Sequence, residues 1–211
     1  MRAWFRPTAQ EAWRDLMRFL WPEEGWLTFA LILANLSVVV WTVELAHWAR
    51  TPSLVFVSFL ALLTAFVFAR IRLSAVALHP LGLAVGVVVV VWQTSGLIPA
   101  GDASLRVAEL GSRLSLWVQA ARQGGISLDE VPFSFFLVAL SWLIGYASGW
   151  AIFRHRNFWA AALPGGLGIL SNLAYLPSEF FSYFFLWLLT ALLLMARLYT
   201  IRRDRGWGAT G

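Results

Sequence analysis

Six apolar runs, each about as long as a bilayer-crossing helix, are parted by short segments that hold nearly all the charge. That pattern leaves the chain few ways to fold. The runs lie at about 26–48, 54–69, 78–98, 131–153, 158–176 and 180–198. The second is near the short limit for crossing. In hydrocarbon no water satisfies backbone N–H and C=O groups, so an isolated span must be a helix. The branched run Val87-Val88-Val89-Val90-Val91 would suit a strand in water, and the bilayer turns it helical. The expected fold class is all-α: a polytopic membrane protein of six transmembrane helices.

Composition agrees. Of 211 residues, 60% are hydrophobic and 13% charged, where a soluble domain carries about a quarter charged residues. The length suits one bundle without a sizeable soluble domain. All 16 basic residues are arginine, so no site can use a phosphate-loop lysine or a Schiff-base amine. Cysteine is absent, which excludes thiol nucleophiles, disulfides and cysteine metal sites. The net charge of +5 requires no nucleic acid, because basic residues at a cytoplasmic face are its ordinary source in a membrane protein.

Two segments outside the runs read as helices. In residues 8–20, Thr8 and Glu11 have capping-box spacing, and Trp13, Leu16, Met17 and Leu20 form one stripe. This helix would lie in the cytoplasmic interface or pack on the bundle. In the long loop 99–130, Val107, Leu110, Leu114, Trp117, Val118 and Ala121 recur at helical spacing opposite Arg106, Glu109 and Arg113. Glu109 and Arg113 form an i,i+4 pair in the favourable order. The expected organisation is an interfacial segment 1–25, a membrane domain 26–198 and a basic tail 199–211. No cleavable signal peptide is apparent ahead of the first run, which would act as an uncleaved anchor.

Arginine sets the direction. With the N-terminus inside, cytoplasmic segments hold Arg2, Arg6, Arg14, Arg18, Arg70, Arg72, Arg154, Arg156, Arg197, Arg202, Arg203 and Arg205, and outer segments hold Arg50, Arg106, Arg113 and Arg122. Twelve against four is the sorting the positive-inside rule demands; the opposite orientation inverts it, and losing one helix scrambles it. Both termini are therefore expected in the cytoplasm.

Polar residues within the runs are few. Glu44 is the one carboxylate in an apolar run, near the outer end of the first helix beside His47 and Trp48. It reads as an interfacial or paired carboxylate, or as a functional group. Asn35, Gln93 and Asn172 either line a pocket or bond across helices as packing contacts. Ser141, Gly145 and Gly149 make a small-residue stripe, repeated by Gly82 and Gly86, suited to close helix packing. Pro164, Gly165 and Gly166 are expected to interrupt or kink the fifth helix. His47, His79 and His155 sit at separate membrane edges. No zinc-binding HExxH occurs, and Tyr146-Ala147-Ser148-Gly149 lacks the glycine that an intramembrane serine-protease motif needs two places before its serine. No catalytic, metal or cofactor set is expected.

Several stretches together resemble the N-terminal membrane region of bacterial transglutaminase-like membrane proteins. These are Trp21-Pro22-Glu23-Glu24-Gly25-Trp26-Leu27-Thr28, Trp41-Thr42-Val43-Glu44, Phe153-Arg154-His155-Arg156, Ala162-Leu163-Pro164-Gly165-Gly166, Asn172-Leu173-Ala174-Tyr175 and Leu194-Met195-Ala196-Arg197-Leu198. The resemblance implies a multi-helix anchor in the bacterial cell membrane, followed in relatives by an extracytoplasmic domain with a Cys-His-Asp triad. With no cysteine here, no catalytic residue carries over. The expectation is a non-catalytic anchor or scaffold, a truncated, split or stand-alone relative. Its partners would be the bilayer and a transglutaminase-like domain or another membrane or extracytoplasmic protein. The alternative is a small transporter or channel subunit whose polar residues line a cavity.

Overall fold

A computed structural model describes residues 25–99, 101–125 and 127–208. The expected 8–20 helix lies outside them. The described chain is helical, without strands: α1 (Trp26–Leu45), α2 (Leu54–Arg70), α3 (Ala75–Ser95), α4 (Ala103–Arg122), α5 (Glu130–His155), α6 (Phe158–Leu173), a 3-10 turn (Ser178–Phe180) and α7 (Phe181–Gly208). Four helical stretches are long and apolar enough to cross a membrane: Trp26–Leu45, Ala75–Ser95, Glu130–His155 and Ser178–Arg203, with mean hydropathy from 1.7 to 2.2. α2 and α6 are apolar but shorter, at 17 and 16 residues.

Local chemistry ends these helices where hydropathy alone does not. α1 stops at Leu45, short of residue 48, because His47 turns left-handed with φ 52°. Ser53, Asp102, Asp129 and Asn157 cap α2, α4, α5 and α6, each accepting a hydrogen bond from an N–H in the first turn. α7 continues ten residues past the expected end at 198: the apolar run stops at a solvent boundary, but Arg-rich sequence still favours helix. α6 runs unbroken through Pro164, which corrects the expected interruption. Proline removes one helical hydrogen bond, and the neighbouring glycines serve packing instead. A Cβ on Gly166 would sit 2.9 Å from the Trp187 ring.

α5 is the hub. It packs most extensively on α2 and also meets α3, α4, α6 and α1; α1 in turn holds α7, α2 and α6. Over half of the apolar window is buried in α1 and α5, against 22% in α3 and 17% in the α7 stretch. The small-residue stripes meet two different faces of this hub, one carried by α5 itself and the other by α3. Gly145 and Gly149 let α2 approach: their Cβ positions fall 3.0 Å from Ala61 Cβ and 2.7 Å from Ala65 Cβ. Gly82 and Gly86 receive the Tyr146 and Trp142 rings of α5. Both serve contacts within the chain.

The hydrogen bonds also gather the arginines. Arg154 donates from Nη1 to the carbonyls of Ala69 (2.9 Å) and Ile71 (3.2 Å), and from Nη2 to Leu73 (3.3 Å). It thereby ties the α2–α3 turn to the end of α5. Arg202 reaches the Arg156 carbonyl at 3.3 Å. Arg70, Arg72, Arg154, Arg156 and Arg202 therefore share one end of the bundle, and Arg50 and the α4 arginines lie toward the other. We expect Arg154→Leu to lower stability by about 1–2 kcal/mol, since charge-assisted bonds count for more than neutral ones but this side chain is exposed. Thermal unfolding in detergent would check it: an unchanged midpoint would contradict a tethering role.

Candidate functional site

At the end opposite the arginine cluster, α1, α5 and α6 part to leave a cleft of about 700 Å³. Its walls are almost wholly apolar. Val39 and Val43 come from α1, Phe136 and Leu140 from α5, and Pro164 and Leu167 from α6. Many wall residues are also exposed at the surface: Phe136 is 56% and Leu167 64% accessible, so the cleft opens sideways.

Its rim is polar and aromatic. Trp48 Nε1 donates to Asn172 Oδ1 at 2.8 Å, and Tyr175 lies edge-on to Trp48 at 6.5 Å between ring centroids. The local sequence explains the arrangement. After α1 ends, the turn swings Trp48 across to the last turn of α6, which carries Asn172. Tyr175 follows in the tight α6–α7 connection.

Of the four intramembrane polar candidates, only Asn172 lines this cleft. Asn35 is buried on the α7 side, where Nδ2 donates to Trp187 O (3.1 Å) and Thr190 Oγ1 (2.9 Å). The half-buried Glu44 accepts a hydrogen bond from the Leu54 N–H. It thus closes the start of α2 next to the Ser53 cap, where a carboxylate also meets the positive end of the helix dipole. Gln93 is half-buried near the end of α3, outside the cleft. Asn35 and Glu44 thus take up the packing and capping roles; the four do not converge. Asn35→Leu should lower stability by about 1 kcal/mol, a typical magnitude for an interhelical hydrogen bond in a membrane; unfolding of the purified protein at the wild-type midpoint would sink this assignment.

The glycine and serine candidates separate in the same way. Ser141 lines the cleft wall and satisfies its hydroxyl on the Leu137 carbonyl at 2.9 Å, while Gly145 and Gly149 face α2 and Gly82 and Gly86 face α5. Ser148 is buried and donates to the Ala161 carbonyl at 2.8 Å, joining α5 to α6. His79 lies against Trp150 at 4.6 Å and faces Tyr146 at the arginine-rich end.

Two donors at the cleft stand out, and the sequence reading missed one of them. Ser58 is 1% exposed, lines the cleft, and its Oγ has no hydrogen-bond partner. Asn172 Nδ2 is likewise buried and unpaired. Ser58 was hidden in the sequence because serine within an apolar helix ordinarily bonds back to its own turn.

Between α3 and α5, α4 is capped at its start and tied at its middle to the start of α5. Asp102 accepts from the Leu105 N–H at 2.8 Å and from Ser104; these bonds hold its carboxyl below the usual range. Arg113 joins Glu109 at 2.8 Å and Asp129 at 3.3 Å. Leu110 is buried, while Val107, Trp117 and Val118 remain exposed. Residues Ala103–Arg122 are helical, and Val107, Trp117 and Val118 are not covered by the bundle.

Among the described residues, no group of three or more His, Asp or Glu side chains is placed to hold a metal ion. Comparison with protein-family models, with curated proteins and with solved structures finds no match.

Proposed function

We propose that this chain is a six-span membrane anchor and scaffold, with arginine-rich turns and both termini in the cytoplasm, that presents α4 and the cleft rim on the outer side. The short helices count as spans on a physical argument. α2 is about 25 Å long by helical rise, against about 30 Å of hydrocarbon, but one face of it is fully packed against its neighbours. Leu54, Val57, Ala61, Leu62 and Ala65 have no exposure. A helix packed against longer neighbours does not have to match the bilayer thickness itself.

The observation that supports a scaffold over a transporter is the scatter of polar residues. Asn35, Glu44 and Gln93 all lie outside the cleft that Asn172 lines, so these four residues form no shared polar path. The uncovered apolar stripe of α4, with Trp117 and Val118, is the surface on which a partner or the outer membrane interface would rest.

The resemblance to transglutaminase-like membrane proteins supplies the partner in this reading: an extracytoplasmic domain of that kind, encoded next to this sequence. Sequencing the adjoining DNA and co-purifying the encoded domain tests it. The reading predicts co-purification with the native chain and loss of it with Trp117→Glu. No such reading frame, or co-purification indifferent to that substitution, would contradict it.

A further inference from the structure

The cleft has the shape and chemistry of a site for an ester-linked acyl chain, and we propose that it binds a glycerolipid from the leaflet at the arginine-poor end. The fatty chain would lie along α1, α5 and α6, with ester carbonyls at Ser58 and Asn172.

The unpaired hydroxyl of Ser58 is the first mark of a ligand. Several helical hydroxyls are satisfied on their own turn, Thr64 on Leu60, Ser134 on Glu130 and Ser141 on Leu137, whereas Thr94, buried on α3 and outside the cleft, also lacks a partner. Ser58 is more buried than Thr64 and Ser141 and matches Ser134, yet it bonds nothing and faces the cleft. A buried polar group without a partner is unfavourable, so an acceptor brought by a ligand is the natural complement. Asn172 poses the same demand. Its Oδ1 is engaged by Trp48, which leaves Nδ2 as a free donor at the rim. Asn172 Nδ2 can only donate and the Ser58 hydroxyl can donate, so carbonyl acceptors satisfy both.

The rest of the surface selects the class. The walls carry no charge, so a free anion has no counter-ion here. The sideways opening faces the direction from which lipid arrives. Trp48 and Tyr175 mark the rim, and indole and phenol rings favour the depth at which lipid esters lie. A helix from another protein is a poorer occupant: its mid-span backbone carbonyls are already bonded, and about 700 Å³ holds less than two helical turns. An acyl ester offers an apolar tail and a free carbonyl together.

The test uses the full chain in nonionic detergent, incubated with equal amounts of diester and diether phosphatidylglycerol of the same chain length. Lipid retained after washing is read by native mass spectrometry. The diether lipid fills the same space and lacks the carbonyls. The wild type should retain the diester about 25-fold over the diether, the preference of two neutral hydrogen bonds. Ser58→Ala deletes only one unpaired atom, so the fold should survive and the ratio should fall about fivefold. Gly168→Leu should reduce retention of both lipids. A Cβ there meets only Val39 Cγ1, at an ordinary 3.5 Å, so the longer side chain can occupy the cleft without disturbing the packing. Equal retention of the two lipids by the wild type would overturn the proposal, as would a Ser58→Ala protein with an unchanged ratio. A second copy of the chain displacing lipid would overturn it too.

Discussion

Replacing Gly149 by leucine is expected to cause a large loss of stability. The α2–α5 seam is the most extensive helix contact in the protein, and Gly149 sits where it is closest. A Cβ there would lie 2.7 Å from Ala65 Cβ and 2.9 Å from Leu62 Cδ1. Ala65 and Leu62 are themselves fully buried, so neither can swing away; relief requires moving α2. In a bilayer, helices gain little from hydrophobic burial against one another, and close van der Waals packing carries the association. Overpacking such a seam costs about 1–3 kcal/mol or more. Gly111→Leu is the control, because nothing lies within 4 Å of a Cβ at Gly111. Thermal unfolding in detergent should show a large drop for Gly149→Leu and almost none for Gly111→Leu. Equal midpoints would mean the seam is not as close as described.

The second large effect is expected at Gly86, where the neighbour is a rigid ring. A Cβ on Gly86 would fall 2.3 Å from Trp142 Nε1 and 2.6 Å from its Cδ1. Trp142 is 2% exposed and central to the cluster that joins α1, α2, α3 and α5. Gly86→Ala should therefore destabilise by about 1–3 kcal/mol, and the cause can be isolated by a double-mutant cycle. Trp142→Phe removes the offending edge of the indole. Combined with Gly86→Ala, it should be markedly less harmful than the sum of the two single changes. Strict additivity would show that the two residues do not meet.

How far the sequence foretold these contacts depends on the kind of signal. The helices at 26–45, 75–95 and 130–155 were legible because long apolar runs in an oil-like solvent admit one backbone solution. The stripe Gly145 and Gly149 was legible as a packing face, since small residues at i,i+4 say that something comes close. That Gly82 and Gly86 receive tryptophan and tyrosine rings was not, because a glycine records the space and not its occupant. Glu44 was readable as an interfacial or paired carboxylate; its service to the start of α2 depends on a turn that brings residues 44 and 54 together. Arg154 carried a topological meaning in the sequence and a second, structural one that only the folded α2–α3 turn reveals. The helix boundaries missed by hydropathy were set by capping serine, aspartate and asparagine residues and by the left-handed His47, all local effects that an apolar count ignores.

The cleft was the least legible feature. None of its wall residues is unusual in a membrane helix, and its two unpaired donors become visible only when the folded chain shows which polar atoms find partners. The sequence did place Asn172 among the polar candidates. It could not distinguish that residue from Asn35, which differs in having Thr190 and Trp187 within reach.

The arrangement of arginine is what gives every part of this account its direction, and the chain permits a clean test because it contains no cysteine. Single cysteines at Gly111, exposed on α4, and at Ser74, exposed in the α2–α3 turn, can be challenged with a membrane-impermeant maleimide. Gly111→Cys should be labelled in intact cells and Ser74→Cys only after the membrane is permeabilised. Labelling of Ser74→Cys in intact cells, with Gly111→Cys protected, would contradict the proposed orientation.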